Sequence, residues 1–307
     1  MGEILVFGHK NPDTDTICSA LAYANLKNIL GIEAKAVRLG ELNEETKFVL
    51  NYFGVEAPEL IKTVAGNKII LVDHNERTQT ADGFEEAKVL ELVDHHRISN
   101  FNVDEPLLVR MAPVGCTATI ILNLYKENNL VPAKKIAGLM LSAIISDTLL
   151  FKSPTCTELD VEAGKELAKL AEVNLEEYGL EMLKAGTALG NKTEAELLNM
   201  DMKIFEIDGQ KIGVGQVNTA NEAEVLERKE ALLKEIDVII AKEGLKFFMF
   251  VITNILTNDS ISLISGDADV IIEKAFGVKI ENKEAILKGV VSRKKQIIPP
   301  ITKAIQN

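Results

Sequence analysis

At 307 residues, with 47% hydrophobic and 26% charged side chains, the chain is long enough for two domains and has the composition of a packed globular protein. A net charge of −12 and 5% aromatic residues, with no Trp, exclude a chain built to wrap long nucleic acids, which needs clustered Lys and Arg and stacking platforms. Cys18, Cys116 and Cys156 are widely separated and form no CxxC pair, which fits inert thiols in a reducing compartment. The opening MGEILVFGHKNPD has no charged n-region, apolar core or cleavage site. The longest apolar stretch, 136–151, is too short for a bilayer and carries Asp147. A cytoplasmic protein is expected, with neither a membrane nor a nucleic acid as partner.

Residues 4–7 are a continuous apolar run, as in a buried parallel strand. Residues 17–30 follow with helical spacing of Ile17, Leu21, Leu26, Ile29 and Leu30, closed by Gly31. Strand 34–39 and helix 44–53 come next, the helix closed by Gly54. Strands 68–72 and 89–93 each run into an acidic residue and a histidine, and helical patterns then cover 117–126, 133–146 and 159–170. This alternation predicts an α/β protein with an N-terminal doubly wound, mainly parallel sheet, whose ligands bind beyond the carboxyl ends of the strands. A small, polar stretch at 184–193 predicts a boundary, with domains 1–187 and 193–307 and a linker at about 188–192. The second part reads as strand 202–207, a turn at Asp208-Gly209, strand 211–217, helix 223–241, strands 247–253 and 261–265, and helix 270–276. A short C-terminal strand and a tail complete a smaller C-terminal α/β domain.

The chain has four histidines, His9, His74, His95 and His96, each with an Asp within four residues and each just after a predicted strand. In His9-Lys10-Asn11-Pro12-Asp13-Thr14-Asp15 the proline excludes a helix, so a loop can curl three ligands around a point. Asp13 or Asp15 could equally cap helix 17–30, although a cap does not explain two Asp plus His9. Asp73-His74-Asn75 and Asp94-His95-His96 could be polar decoration of turns, where Asp and Asn are common. They also stand where a site would be built. Asp147, inside SAIISDTLLF, needs a cation, hydrogen bonds or a helix end to offset its burial.

Imidazole and carboxylate without thiolate suit Mn²⁺, Co²⁺, Zn²⁺ or Fe²⁺ better than an all-oxygen Ca²⁺ or Mg²⁺ cage. The candidates are too many for one ion. Two ions about 3.5–4 Å apart, sharing a carboxylate, can bind one water and lower its pKa from ~15.7 toward neutrality, giving a hydroxide that attacks phosphorus. In the second domain Ser292-Arg293-Lys294-Lys295-Gln296 follows Gly289-Val290-Val291, read as a strand. A basic run is usually a solvated face, but an Arg and Lys fork is also what a phosphate needs. Lys203 is a weaker candidate of the same kind.

Together, GHKNPDTD (8–15), VDHNE (72–76), VDHH (93–96), SDT (146–148) and SRKKQ (292–296) resemble the DHH phosphoesterase superfamily, and specifically its family II inorganic pyrophosphatases. The match spans nearly the whole chain. The resemblance implies that His9, Asp13 and Asp73 hold one metal and that Asp15, Asp73, His95 and Asp147 hold the other, with Asp73 bridging. It implies that His96 contacts substrate and assists the leaving phosphate. Lys203, Arg293 and Lys294 would grip pyrophosphate in a cleft between the domains. It further implies two Mn²⁺ per subunit with Co²⁺ as substitute, Mg²⁺ arriving with substrate, a homodimer, and hydrolysis of pyrophosphate to two orthophosphates by a metal-bridged hydroxide. It assigns no role to His74. No insert of the kind that carries nucleotide-sensing domains interrupts the first domain.

The rival readings are an exopolyphosphatase or another phosphodiesterase of the superfamily, and a non-enzymatic metal-binding scaffold. Nucleotide-cleaving members carry a Gly-rich, His-containing second domain, and no histidine lies beyond His96 here. A scaffold would need no cationic clamp beside a full ligand set.

Overall fold

The computed structural model describes residues 3–98, 100–187 and 189–306, folded as two units, Met1–Gly186 and Thr187–Asn307. In the first unit the order is β1 (Ile4–Phe7), α1 (Thr14–Ile29), β2 (Ala34–Arg38), α2 (Glu44–Phe53), β3 (Glu59–Leu60), β4 (Lys68–Val72), β5 (Lys88–Asp94), β6 (Leu108–Met111), α3 (Thr117–Glu127), α4 (Lys134–Thr148), α5 (Glu158–Ala171) and α6 (Leu175–Gly186). The apolar runs of β1, β4 and β5 have no polar alternation because helices cover the sheet, and Val6, Phe7, Ile69, Ile70, Val72 and Val93 are fully buried.

Every pairing in this sheet is parallel, in the order β3-β2-β1-β4-β5-β6. The order therefore reverses between β1 and β4, its topological switch point. The loops leaving the carboxyl ends of β1 and β4 diverge there and open a crevice, the usual ligand position in such sheets. His9 follows β1, and Asp73 and His74 follow β4. The doubly wound parallel sheet expected from the sequence is thus present, and it sets the histidine clusters side by side.

Helix α1 begins at Thr14, three residues before the helical spacing suggests. Asp13 Oδ1 accepts from the Thr16 N–H at 2.9 Å and so caps the helix, which brings Asp15 into the first turn. Only 8–13 is loop; Asp15 is a helical residue. The helix is buried along most of its length, lying against α3 and α4. Its run of small and apolar residues (Ala20, Ala22 and Ala24 among them) permits that close packing.

The second unit runs α7 (Glu194–Asn199), β7 (Met202–Ile207), β8 (Gln210–Thr219), α8 (Glu222–Leu226), α9 (Lys229–Glu243), β9 (Phe247–Asn254), β10 (Asp259–Gly266), α10 (Asp269–Phe276), β11 (Glu284–Leu287) and α11 (Ile298–Gln306). Its sheet has the order β11-β10-β9-β8-β7, with β8 and β9 parallel and the remaining pairs antiparallel. The central strand β9 is buried throughout and feeds two cores. Phe248, Phe250 and Ile252 meet α9 residues such as Leu232 and Ile236, while Phe247, Met249 and Val251 meet Ile272 of α10 and Ile301 of α11.

Three expectations for this unit are corrected. The helix predicted over 223–241 is two helices, α8 and α9, interrupted at Glu227 and Arg228. The apolar triplet Gly289-Val290-Val291 is not a strand: the last strand, β11, ends at Leu287, and Gly289 turns the chain at φ 68°. The tail is helical: a wide π-helical turn over Arg293–Ile297 leads directly into α11, and Pro299 and Pro300, which have no N–H to donate, stand just after the change of winding. Among the described residues no helix is long and apolar enough to cross a membrane.

Candidate metal centre

Six side chains predicted as ligands converge beyond β1, β4 and β5. His9 leaves β1, Asp73 and His95 leave β4 and β5, Asp13 and Asp15 flank the start of α1, and Asp147 stands in the last turn of α4. His9 Nε2 lies 3.2 Å from Asp13 Oδ2 and 3.6 Å from Asp73 Oδ2. His95 Nε2 lies 3.4 Å from Asp73 Oδ1 and 3.7 Å from Asp147 Oδ2. Two ligand groups result, His9 with Asp13 and Asp73, and Asp15 with Asp73, His95 and Asp147. Within each, one donor atom per residue lies within 4.8 Å of all the others. Asp73 belongs to both, offering Oδ2 to one and Oδ1 to the other.

The His95 ring is oriented from behind, since its Nδ1–H donates to Val114 O at 3.0 Å and leaves the Nε2 lone pair facing the carboxylates. Backbone geometry contributes as well. Asp73 adopts φ 58°, a left-handed conformation costly for a residue with a side chain, and Leu149, Leu150 and Phe151 after α4 do the same at 48°, 53° and 65°. Strain of this kind gathers where the surroundings force it, and here it brackets two candidate ligands.

Comparison with known proteins decides the family. Residues 3–144 match the DHH family N-terminal domain and residues 180–304 match the DHHA2 domain. Proteins of Bacillus licheniformis and Bacillus cereus, named as manganese-dependent inorganic pyrophosphatases, are 56% and 55% identical over 308 residues, covering all of both chains. The chain belongs to the family II, manganese-dependent inorganic pyrophosphatases. A solved Methanococcus jannaschii structure named for that family is 42% identical, with a TM-score of 0.64 over 99% of this chain and 100% of its own. An exopolyphosphatase-related protein of Bacteroides fragilis, at 12% identity and TM-score 0.52 over 99% of this chain and 92% of its own, shares the fold.

The electrostatics of this family II centre call for a cation. Burial, with the charges of Asp15 and Asp13, holds the Asp73 carboxyl well above the usual carboxylate range. Burial and the charges of Asp15, Asp73 and Asp13 do the same to Asp147. Burial opposes charge on the His9 ring, yet the hydrogen bond and charge of Asp13 raise its pKa, and Asp13 is lowered in return against its own burial. Without a cation the cluster therefore retains protons to separate its acceptors. A divalent ion would do so better, and these nitrogens and oxygens fit Mn²⁺.

Hydroxyl and amide donors that the sequence motifs do not mark surround the carboxylates. Thr16 Oγ1 and Thr117 Oγ1 donate to the two oxygens of Asp73, at 2.7 and 3.1 Å. Ser19 Oγ and the Thr117 N–H donate to those of Asp15, at 2.6 and 2.8 Å. The start of α3, which carries Thr117, is tied to α5 by Asp160, which accepts from the Gly115 N–H at 2.8 Å and from Thr119 Oγ1 at 2.7 Å. Their sequence signal is only position: each Thr or Ser is next to, or one helical turn from, a candidate ligand or a glycine turn. His74 is buried, donates Nδ1–H to Val72 O at 3.0 Å, and is pushed by burial to a pKa of about 4.

The remaining sequence candidates divide between the units. His96 is half-exposed next to Asp73, its Nδ1 3.7 Å from Asp73 Oδ1. With Asp73 and His95 it forms a third group of possible ligands. Lys203, Arg293 and Lys294 line one concavity of the second unit, with Asp201, Gln216 and Ser292. Arg293 is not a free fork there, since Nη2 donates to Asp201 Oδ1 at 2.7 Å and Nη1 to Asp201 O. The sequence reading missed Asp201, which sits two residues before Lys203.

Proposed function

We propose that this protein hydrolyses inorganic pyrophosphate to two orthophosphates at a two-ion centre. The single observation that carries the reading is the shared carboxylate: Asp73 presents one oxygen to each of two separate ligand groups. His9, Asp13 and Asp73 hold one ion and Asp15, Asp73, His95 and Asp147 the other. The ions are Mn²⁺, with Co²⁺ as substitute, and Mg²⁺ accompanies the substrate. When bound, such a pair supplies Lewis acidity and lowers the pKa of water.

The protein's own side chains do the rest. Thr16 and Thr117 keep both Asp73 oxygens aimed apart, and Ser19 and the Thr117 amide fix Asp15. Lys203, Arg293 and Lys294 neutralise the diphosphate oxygens. A water oxygen bonds to one phosphorus and releases a proton to solvent, the bridging P–O bond breaks, and the departing phosphate takes a proton from His96, which solvent then restores. Its Nδ1 is engaged by Asp94, so Nε2 is the edge that exchanges. We further infer a cytoplasmic homodimer, to be checked by light scattering of the purified protein.

The decisive experiment is phosphate release from pyrophosphate, tripolyphosphate and a dinucleotide, each with Mn²⁺ or Mg²⁺. Pyrophosphate should be cleaved fastest, with Mn²⁺ required. Faster release from tripolyphosphate would favour an exopolyphosphatase, and faster dinucleotide cleavage would overturn the reading.

A further inference from the structure

Two of the candidate ligand segments, the start of α1 and the end of α4, are far apart in sequence and share no backbone hydrogen bond that would hold them in register. A side chain from a third helix bridges them. Glu45, in the first turn of α2, accepts from Thr14 Oγ1 at 2.6 Å and from Ser146 Oγ, both on the same oxygen, Oε1. Thr14 lies between Asp13 and Asp15, and Ser146 immediately precedes Asp147. Thr14 Oγ1 also lies 3.1 Å from Thr46 Oγ1, so the contact continues into α2.

Glu45 is expensive to keep here. Burial, and then the charge of Asp13, raise its pKa, although the hydroxyls of Ser146 and Thr14 partly offset this. It is closely packed from the other side as well. A Cβ at Gly186, the last residue of α6, would lie 2.7 Å from Glu45 Cβ and 2.9 Å from Oε2, so only glycine leaves the carboxylate its place. Thr14 does not need a carboxylate to avoid being buried unpaired, since Thr46 is already within reach. What Glu45 adds to the packing of α1 on α4 is a polar tie between the segment carrying Asp13 and Asp15 and the segment carrying Asp147.

We propose that Glu45 is a positioning residue of the metal centre, a two-hydroxyl clamp that sets the spacing of Asp13, Asp15 and Asp147 through Thr14 and Ser146. The inference rests on reading these carboxylates as metal ligands, and it extends that reading to a residue that touches neither ion nor substrate.

The test is Mn²⁺ affinity of the full-length protein, followed by electron paramagnetic resonance, for wild type, Glu45→Ala, Glu45→Gln and Gly186→Ala. Losing an outer partner of a ligand typically weakens metal binding about 10–100-fold, and that loss is expected for Glu45→Ala. Glu45→Gln keeps an acceptor oxygen for both hydroxyls and should stay within about threefold of wild type, below that range. Gly186→Ala, which displaces Glu45 while leaving every polar group in place, should weaken binding in the same direction. Wild-type affinity in Glu45→Ala, or equal losses in the Ala and Gln variants, would overturn the clamp.

Should Glu45→Ala fail to fold by circular dichroism, Thr14→Val and Ser146→Ala carry the test, and unchanged affinity in both would overturn it equally. Combined in one chain, Thr14→Val and Ser146→Ala should fall short of the sum of their separate effects, because either one alone opens the clamp. Full additivity counts against the clamp. Wild-type protein that binds two Mn²⁺ but does not cleave pyrophosphate would overturn the proposed function alone. Wild-type protein that binds no Mn²⁺ would overturn both.

Discussion

His96 and Asp94 meet at a single carboxylate oxygen: the backbone N–H and the ring Nδ1–H of His96 both donate to Asp94 Oδ1, at 3.0 and 2.9 Å. The other oxygen of Asp94 accepts from Asn75 Nδ2 at 2.6 Å, so the fully buried carboxylate is held from both sides. Burial works against its charge, but the hydrogen bonds from His96 and Asn75 bring its pKa below the usual value. In turn the Asp94 hydrogen bond raises the pKa of His96, with burial opposing. The imidazole is thereby fixed in orientation and kept protonated over more of the neutral range.

The pH dependence of turnover should follow from this pair. A raised histidine pKa means that the acid form survives to higher pH and is lost as pH rises through it. Asp94→Asn weakens the hydrogen bond that raises it and removes the charge that adds to it, so the alkaline limb of kcat should move to lower pH while Mn²⁺ content is unchanged. The measurement is kcat against pH at saturating Mn²⁺ and pyrophosphate. A limb that stays put would show that His96 is not the titrating acid.

The adjacent histidines should separate cleanly. His95 turns Nε2 toward Asp73 and Asp147, whereas His96 is half-exposed and turns Nδ1 toward Asp94. His96→Gln should lower kcat roughly 10²–10⁴-fold, the scale of general acid catalysis, with both Mn²⁺ retained. His95→Gln should lose Mn²⁺. Equal metal loss in both variants, measured by elemental analysis, would mean that the two roles are wrongly assigned.

Asp73→Ala should abolish activity by removing the carboxylate that both ligand groups share. The metal-free fold should survive, because deletion also removes a buried carboxyl whose ionisation is opposed by burial and by the charges of Asp15 and Asp13. The hydroxyls of Thr16 and Thr117 lose an acceptor, at about 1–3 kcal/mol for each buried group left unpaired. The net change is small, and the metal-free melting temperature should stay within about 8 °C of wild type. Wild-type turnover by this variant in Mn²⁺ would end the two-ion proposal.

Much of this was legible in the sequence. Apolar runs ending in Asp-His pairs mark strands whose carboxyl ends carry the site, and the structure puts those ends at the sheet's switch point. The start of α1 is set by Asp13, which caps the helix through one oxygen while turning the other toward His9. Periodicity begins only at the first buried apolar residue and so cannot see a polar first turn. Glu45, Thr117 and Asp160 act through contacts made at separations of 31 to 102 residues, and no local pattern encodes these. The strand assigned before Ser292 failed because three apolar residues fit a packed turn as well as a strand, and Gly289 decided for the turn.

Metal and protons should compete visibly in stability. Asp73 and Asp147 have raised pKa values in the folded protein, so in metal-free protein they contribute a stability that is present at low pH and lost as pH rises through their folded values. Bound Mn²⁺ removes the cause of that loss. The gain in melting temperature on adding Mn²⁺ should therefore widen with rising pH. At 100 times its dissociation constant the ion should contribute about 2.7 kcal/mol. Scanning calorimetry with and without Mn²⁺ across the acid-to-neutral range checks this, and a gap that narrows with pH would contradict it.

The last prediction concerns the second unit, where Arg293 is held before any phosphate arrives. Its side chain is 10% exposed, with Nη2 on Asp201 Oδ1 at 2.7 Å and Nη1 on Asp201 O and, at 3.5 Å, Val214 O. A guanidinium has five donors, so it can keep Asp201 and still present N–H groups to a phosphate, whose tetrahedral oxygens suit its planar fork. An ammonium has only three donors on one atom and cannot face both ways. Arg293→Ala should lower kcat/KM on the order of 10–100-fold, the equivalent of losing a charge-assisted hydrogen bond of about 1.5–3 kcal/mol. Arg293→Lys should restore little of this, and both Mn²⁺ should remain bound in either variant. Asp201→Ala should raise KM in the same direction, because the fork loses the carboxylate that aims it. Asp201→Asn keeps an acceptor oxygen and should do so less. Steady-state kinetics on pyrophosphate, with metal content measured in parallel, decides the matter. If Arg293→Lys matched wild type, charge alone would suffice and the planar fork would have no part in binding. If Asp201→Ala lowered KM, the carboxylate would be competing with phosphate for Arg293 instead of orienting it.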